Sequence, residues 1–153
     1  MCAGTCIFVQ SPLYLPAAGV GPHHREPLMR PQTILIAGPY RSGTGGDARL
    51  IEANLKAQEL AAWQVYRKGH LPLIGEWAAL PLAAAAGLGS AGAAVPSQFL
   101  YDVAARMIAR CDGVYRIAGA SAGADGDVRR ARELGLPCYD SLDQLADADG
   151  TVP

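Results

Sequence analysis

A chain of 153 residues is long enough for one domain with a continuous core, and it does not need disulfide or metal staples. Half of the residues are apolar, 18% are charged and the formal net charge is −1. That balance excludes a basic surface for a nucleic-acid polymer and an acidic solvating tail, so the expected partner is small and roughly neutral.

Residues 1–31 read differently from the rest. Pro12, Pro16, Pro22, Pro27 and Pro31 block helix and sheet bonding, and His23-His24-Arg25-Glu26-Pro27 forms a charged linker. The first 28 residues read as a flexible extension that a start at Met29 would omit. No basic residue precedes Arg25, so no secretory signal is read and the expected compartment is the cytoplasm. The domain is expected over 32–147, with a frayed tail over 148–153.

Thr33-Ile-Leu-Ile-Ala37 is a short β-branched run ending at Gly38-Pro39, the pattern of a buried parallel strand. Asp47 is a good N-cap for a helix over 48–68, where Leu50, Ile51, Leu55, Leu60, Ala61 and Val65 recur near helical spacing and Gly69 stops the run. A second strand is expected over 70–75. Trp77, Leu80 and Leu82 offer a short helix. Residues 78–95 are mostly Ala and Gly, with Pro81 inside and Pro96 just beyond, and lack the Leu, Ile and Phe content of a membrane span.

Ser97 is the expected cap of a helix whose apolar face is Phe99, Leu100, Val103, Met107 and Ile108. A third strand follows over 111–118, a glycine-rich turn over 119–126, a helix over 127–134, a fourth strand over 136–139 and a short helix over 142–146 capped by Ser141. Helices alternating with short apolar strands describe a single-domain, flavodoxin-like, doubly wound parallel sheet of four to five strands, with ligands at the strand carboxyl ends.

Two loops have the composition of a site. Gly38-Pro39-Tyr40-Arg41-Ser42-Gly43 continues to Gly46 and leads into a helix; its glycines, hydroxyls and guanidinium suit a phosphate or a ribose, while a plain flexible turn is the alternative. It is neither a P-loop nor the dinucleotide fingerprint. The second loop, Ser121-Ala-Gly123-Ala-Asp125-Gly-Asp127, offers Asp127 either as a dipole-complementing acid or as a nucleophile at an anomeric carbon. Asp102 and Asp112 are as readily structural as chemical, and His70 reads as structural. Glu76 and Trp77 follow the second strand and are expected to face the pocket, the indole as a surface for stacking a base. Cys2, Cys6, Cys111 and Cys138 make no zinc pattern, and no metal site or organic cofactor motif is read.

Several of these motifs occur together in one family. Ile36-Ala-Gly-Pro-Tyr40, Asn54, Gly69-His70, Cys111-Asp-Gly-Val, Ser121-x-Gly123-Ala and Ala131-x3-Gly135-Leu-Pro137 fall in an order and spacing that resembles the nucleoside 2-deoxyribosyltransferase-like superfamily over about 33–145. That superfamily includes the 2'-deoxynucleoside 5'-phosphate N-hydrolases, and the resemblance is to a poorly characterised bacterial branch of it. It implies cleavage of an N-glycosidic bond, with a glutamate after Ser-x-Gly attacking C1' of the sugar and water or a second base resolving the glycosyl-enzyme. It also implies a helper aspartate on the helix before the third strand, and a homo-oligomer, dimer or larger.

Two positions depart from the pattern. Asp127 stands at the glutamate position, one methylene shorter. Ala104 stands at the helper position, with Asp102, two residues earlier, as the nearby candidate acid.

The expected function is therefore an N-glycosidase or deoxyribosyltransferase acting on a nucleoside or its 5'-monophosphate. Asp127 and Asp102 would be catalytic. Gly38, Pro39, Tyr40, Arg41, Ser42, Gly43, Trp77, Ser121 and Gly123 would bind substrate. The alternatives are a nucleotide-binding module of the same fold with weakened catalysis, and an interaction subunit that packs its Ala/Gly-rich stretch on a partner.

Overall fold

The apolar run Thr33–Ala37 becomes the inner strand β1, and four of its five residues are buried. A computed structural model of the chain describes residues 30–89 and 93–148. The expected N-terminal extension through residue 29 and the tail from 149 therefore lie outside the described residues, as do 90–92.

β1 pairs in parallel on both edges. On one side it meets β2 (Leu71–Ile74), with Thr33 opposite Leu71 and Ile36 opposite Ile74. On the other it meets β3 (Gly113–Arg116), with Ile34 opposite Gly113 and Ala37 opposite Arg116. The two-residue strand β4 (Cys138–Tyr139) lies beyond β3, giving the order β2-β1-β3-β4. The chain thus runs outward from β1 to β2 and then crosses back over β1 to β3. This is the flavodoxin-like arrangement, with its topological switch between β1 and β3.

Alternation along β1 builds the two halves of the core. Ile34 and Ile36 pack with Ala62 and Val65 of α1 (Ala48–Arg67), with Ile74 and with Leu145. Leu35 and Ala37 pack with Ile108 of α3 (Ser97–Ile108), with Val114, and with Ala124, Val128 and Ala131 of α4 (Ala122–Glu133). Each fully buried Ile, Leu or Val contributes about 1.5–3 kcal/mol, so this central strip carries much of the stability.

Local chemistry sets the boundaries. Asp47 caps α1 as expected, its carboxylate accepting from the Arg49 amide at 2.8 Å. The expected short helix near Trp77 is α2 (Gly75–Ala85), eleven residues long with Pro81 inside it. Its buried residues are Ala79 and Ala83, which let it lie close against α3. α3 begins one residue after Pro96, so Ser97 is its first helical residue rather than its cap.

The largest correction concerns α4. Its expected start at Asp127 is five residues late. Ser121 is the N-cap, its Oγ accepting from the Ala124 amide at 3.2 Å, and Ala124 is buried in the core. The segment read as a glycine-rich turn is therefore largely helix. The final element is a short 3-10 turn (Leu142–Gln144) with a capping box on Ser141.

His70 is buried between these parts. Its Nδ1 accepts from the Gln32 amide at 3.1 Å, and Nε2 lies 2.8 Å from the Ala146 carbonyl. Those bonds fix the tautomer with the proton on Nε2 and give the residue the structural role expected of it. Asp112 is likewise structural, accepting from the Thr33 amide at 2.9 Å and from Arg30 at 2.7 Å. These bonds hold its carboxyl below the usual range, the Thr33 amide first and Arg30 second. No helix among the described residues is long and apolar enough to cross a membrane.

Candidate functional site

At the carboxyl ends of β1, β2 and β3 the structure opens a small cleft of about 80 Å³. Each wall comes from a different part of the chain.

The first wall is the loop after β1. Gly38, Tyr40, Arg41 and Ser42 line the cleft. The loop is held by α1: Gln58 Nε2 donates to the Pro39 carbonyl at 3.2 Å, and Asn54 Nδ2 donates to the Tyr40 and Ser42 carbonyls at 2.8 and 3.3 Å. A plain flexible turn would not carry such bracing. Gly38 is needed for close approach, because a Cβ there would fall 2.6 Å from Ile117 Cδ1. Arg41 reaches across to the chain before α3, donating to the Val95 carbonyl at 2.9 Å. Pro39 and Gly43 are not on the cleft wall. Pro39 backs onto Gly119, and Gly43 is exposed.

The second wall is the start of α2. Glu76 faces the cleft as expected, and burial raises its carboxyl above the usual range, opposed by a backbone hydrogen bond. Trp77 does not line the cleft; it is 45% exposed. One step along a helix turns the side chain by about 100°, which carries Trp77 away from the wall that Glu76 faces.

The third wall is α3, which contributes Ser97, Leu100, Tyr101 and Ala104. Asp102 is not brought to this cleft. It lies on the other side of α3, beside an apolar groove lined by Phe99, Val103 and Met107, and accepts from Gln98 Nε2 at 2.8 Å.

The fourth wall is the entrance to α4, with Ser121, Gly123, Ala124 and Asp127. Because α4 starts at Ala122, Asp127 sits in its second turn, facing the cleft, and does not cap the helix. Its carboxyl is pushed up to about 7, first by burial and second by the charge of Glu76, while Arg116 pulls it down. Tyr40 is also raised, by burial and by Glu76, with Arg41 opposing.

The cleft therefore holds two half-hidden carboxyls, the charge of Glu76 raising Asp127, with one guanidinium and hydroxyls from Tyr40, Ser42, Ser97, Tyr101 and Ser121. With its carboxyl at about 7, Asp127 holds its proton about half of the time at neutral pH. Of the residues that sequence reasoning passed over, Gln58 carried a signal: it is a polar residue on the buried stripe it shares with Ala62 and Val65. Tyr101 and Arg116 carried none. Among the described residues no cluster of His, Cys, Asp or Glu could hold a metal ion. The chain matches no family model and no curated protein.

Proposed function

We propose that this protein cleaves the N-glycosidic bond of a nucleoside or nucleoside 5'-monophosphate, with Asp127 as nucleophile and Glu76 as proton donor. The observation that carries the reading is the pair itself: two interacting carboxyls in one cleft at the strand carboxyl ends. Bond cleavage at an anomeric carbon asks for such a pair, one carboxylate to attack and one acid to protonate the leaving group. The resemblance to the nucleoside 2-deoxyribosyltransferase-like superfamily points the same way for Asp127. It leaves the helper acid open, since Ala104 stands at that position. Glu76 lies next to Gly75, whose Cα side faces Ala104 closely enough that a Cβ would come 3.6 Å from the Ala104 Cβ. The helper acid is thus supplied from α2 rather than α3.

The reacting form is the one with Asp127 ionised and the proton on Glu76; in the first step Asp127 Oδ forms a bond to C1' as the bond from C1' to the base nitrogen breaks. The electron pair leaves with the base, which takes the proton of Glu76. In the second step water attacks C1', its proton passes to Glu76 and the Asp127 carboxylate is released. A second base in place of water gives transfer. Arg41, Ser42 and the amides at the start of α4 suit a phosphate or the sugar oxygens. Assembly into a dimer or larger and a cytoplasmic setting belong to the same proposal.

The test is to incubate the protein with ribo- and deoxyribonucleosides and their 5'-monophosphates and follow free base by chromatography. Asp127→Asn should abolish release, and Glu76→Gln should slow it by roughly 10²-fold or more. A substrate whose leaving group needs no proton should rescue Glu76→Gln and leave Asp127→Asn inactive. Rescue in the opposite pattern exchanges the two roles, and no release from any substrate rejects the reading.

A second reading has its own support. Asp127 is shorter than the glutamate at that place in the superfamily, and it is half protonated near pH 7. Both features suit a nucleotide-binding module, for which thermal stabilisation by nucleotides without turnover is the expected result.

A further inference from the structure

Arg116 ends β3 on the same face as Val114, the face that packs against α3 and α4. A cation there is unexpected in a strand core, and its side chain is only 15% exposed. Every bond it makes goes to the segment between β3 and the second turn of α4. Nη1 donates to the Ile117 carbonyl, Nη2 to the Gly119 carbonyl at 2.7 Å, and Nε and Nη2 to Asp125 Oδ1 at 3.2 and 2.9 Å. Gly119 has φ +112 and lies so close to Pro39 that a Cβ would meet the ring at 2.7 Å.

We infer that Arg116 is a positioning residue for this site: its guanidinium clamps the β3–α4 loop to the first turn of α4 and so fixes where Ser121 and Asp127 enter the cleft. A planar fork suits this task, because one group must satisfy two carbonyls and a carboxylate in fixed directions. The same charge faces Asp127 through space and favours its ionised form, against burial and Glu76. The other charged or titratable groups around the cleft are Tyr40 and Arg41 from the loop after β1 and Tyr101 from α3. Asp125, on the outer side of α4, is bound to Arg116 itself. Arg116 thus links the shape of the loop to the protonation of the reacting carboxyl. Its bearing on catalysis rests on the function proposed above; its bearing on Asp127 does not.

Two readouts that need no turnover test it: amide hydrogen exchange over 117–121, and the titration midpoint of the Asp127 carboxyl by NMR. Arg116→Gln removes fork and charge; exchange should speed up at least tenfold and the midpoint should rise by about one pH unit or more. Arg116→Lys keeps charge but not the fork; exchange should speed up while the midpoint stays nearer the wild-type value. Asp125→Asn, an exposed and mild change, frees one contact; exchange should rise modestly and the midpoint should fall. An unmoved midpoint in Arg116→Gln, or in Asp125→Asn should the first fail to fold, overturns the inference, as does unchanged exchange in both Arg116 variants. In the base-release assay Arg116→Gln should lower kcat about tenfold or more below pH 7 with little change in KM. If the wild type releases no base, the function fails while the two physical readouts still decide the role of Arg116.

Discussion

Ser42 Oγ donates to Ser121 Oγ at 3.2 Å, and that same oxygen accepts from the Ala124 amide. One atom therefore caps α4 and fastens the loop after β1 to the loop after β3. The two serines separate these tasks. Ser42→Ala keeps the cap and should leave the melting temperature nearly unchanged while weakening ligand binding. Ser121→Ala loses both and should cost about 1 kcal/mol of stability. Chemical denaturation and calorimetric ligand titration check the pair.

Asp127 makes stability depend on pH. Its carboxyl is raised in the folded state from 3.8 to about 7, so its protonated form is the one the fold favours. The sign follows from linkage: stability from this group is full below the unfolded value of 3.8 and is lost as pH rises through about 7. Asp127→Asn removes that penalty. It should stabilise the protein by about 1–3 kcal/mol at pH 8, with the gain shrinking toward pH 4. Melting curves across that range settle it, and a variant less stable at pH 8 than wild type would refute the buried-acid description.

The pair also shapes the rate. A reaction needing one carboxylate and one acid runs only while the pair holds one proton. With the upper ionisation near 7, kcat/KM should fall as pH rises through about 7. A rate still climbing at pH 8 would mean that no proton from the pair is used.

Gly38→Ala places a methyl 2.6 Å from two carbons of Ile117, which belongs to the segment that Arg116 clamps. Overpacking of this kind costs about 1–3 kcal/mol. Ligand affinity should fall as well, since the shift occurs in the cleft wall.

His70→Ala should be the most damaging change remote from the cleft. It strands the Gln32 amide and the Ala146 carbonyl, both now satisfied by the buried ring, at a cost of about 2–4 kcal/mol. Urea denaturation gives the number, and binding at the cleft should survive.

Much of the frame was legible in the sequence because its signals are local. The β-branched run of β1, the Asp47 cap and the stop at Gly69 each declare themselves within a few residues. α4 was misplaced because Gly123 and Gly126 look like turn residues when taken alone. The small size of Gly123 instead lets the helix press on Tyr101, whose ring stands 3.0 Å from where a Gly123 Cβ would be. α2 was obscured by Pro81 and a run of alanines that show no polar face. Asp102 and Trp77 were drawn to the site by nearness in sequence, yet the helical turn carries each away from the cleft. Ala104 and Glu76 occupy the wall instead. Arg116 had no signal at all, because its partners are carbonyls and a carboxylate that only the folded loop brings together.

The strand order has a consequence for synthesis. β1 finds its first neighbour, β2, after a single helix, but its other edge waits until Gly113 has been made. Until then the most apolar strand of the chain offers unpaired backbone to any passing strand, the situation in which nascent chains aggregate. The crossover through α2 and α3 must dock before that edge can close, so folding should be slow relative to the chain's size and sensitive to whatever delays α3. A pause or truncation before β3 would leave a chain that has every apolar residue of β1 in place and no cleft to show for it.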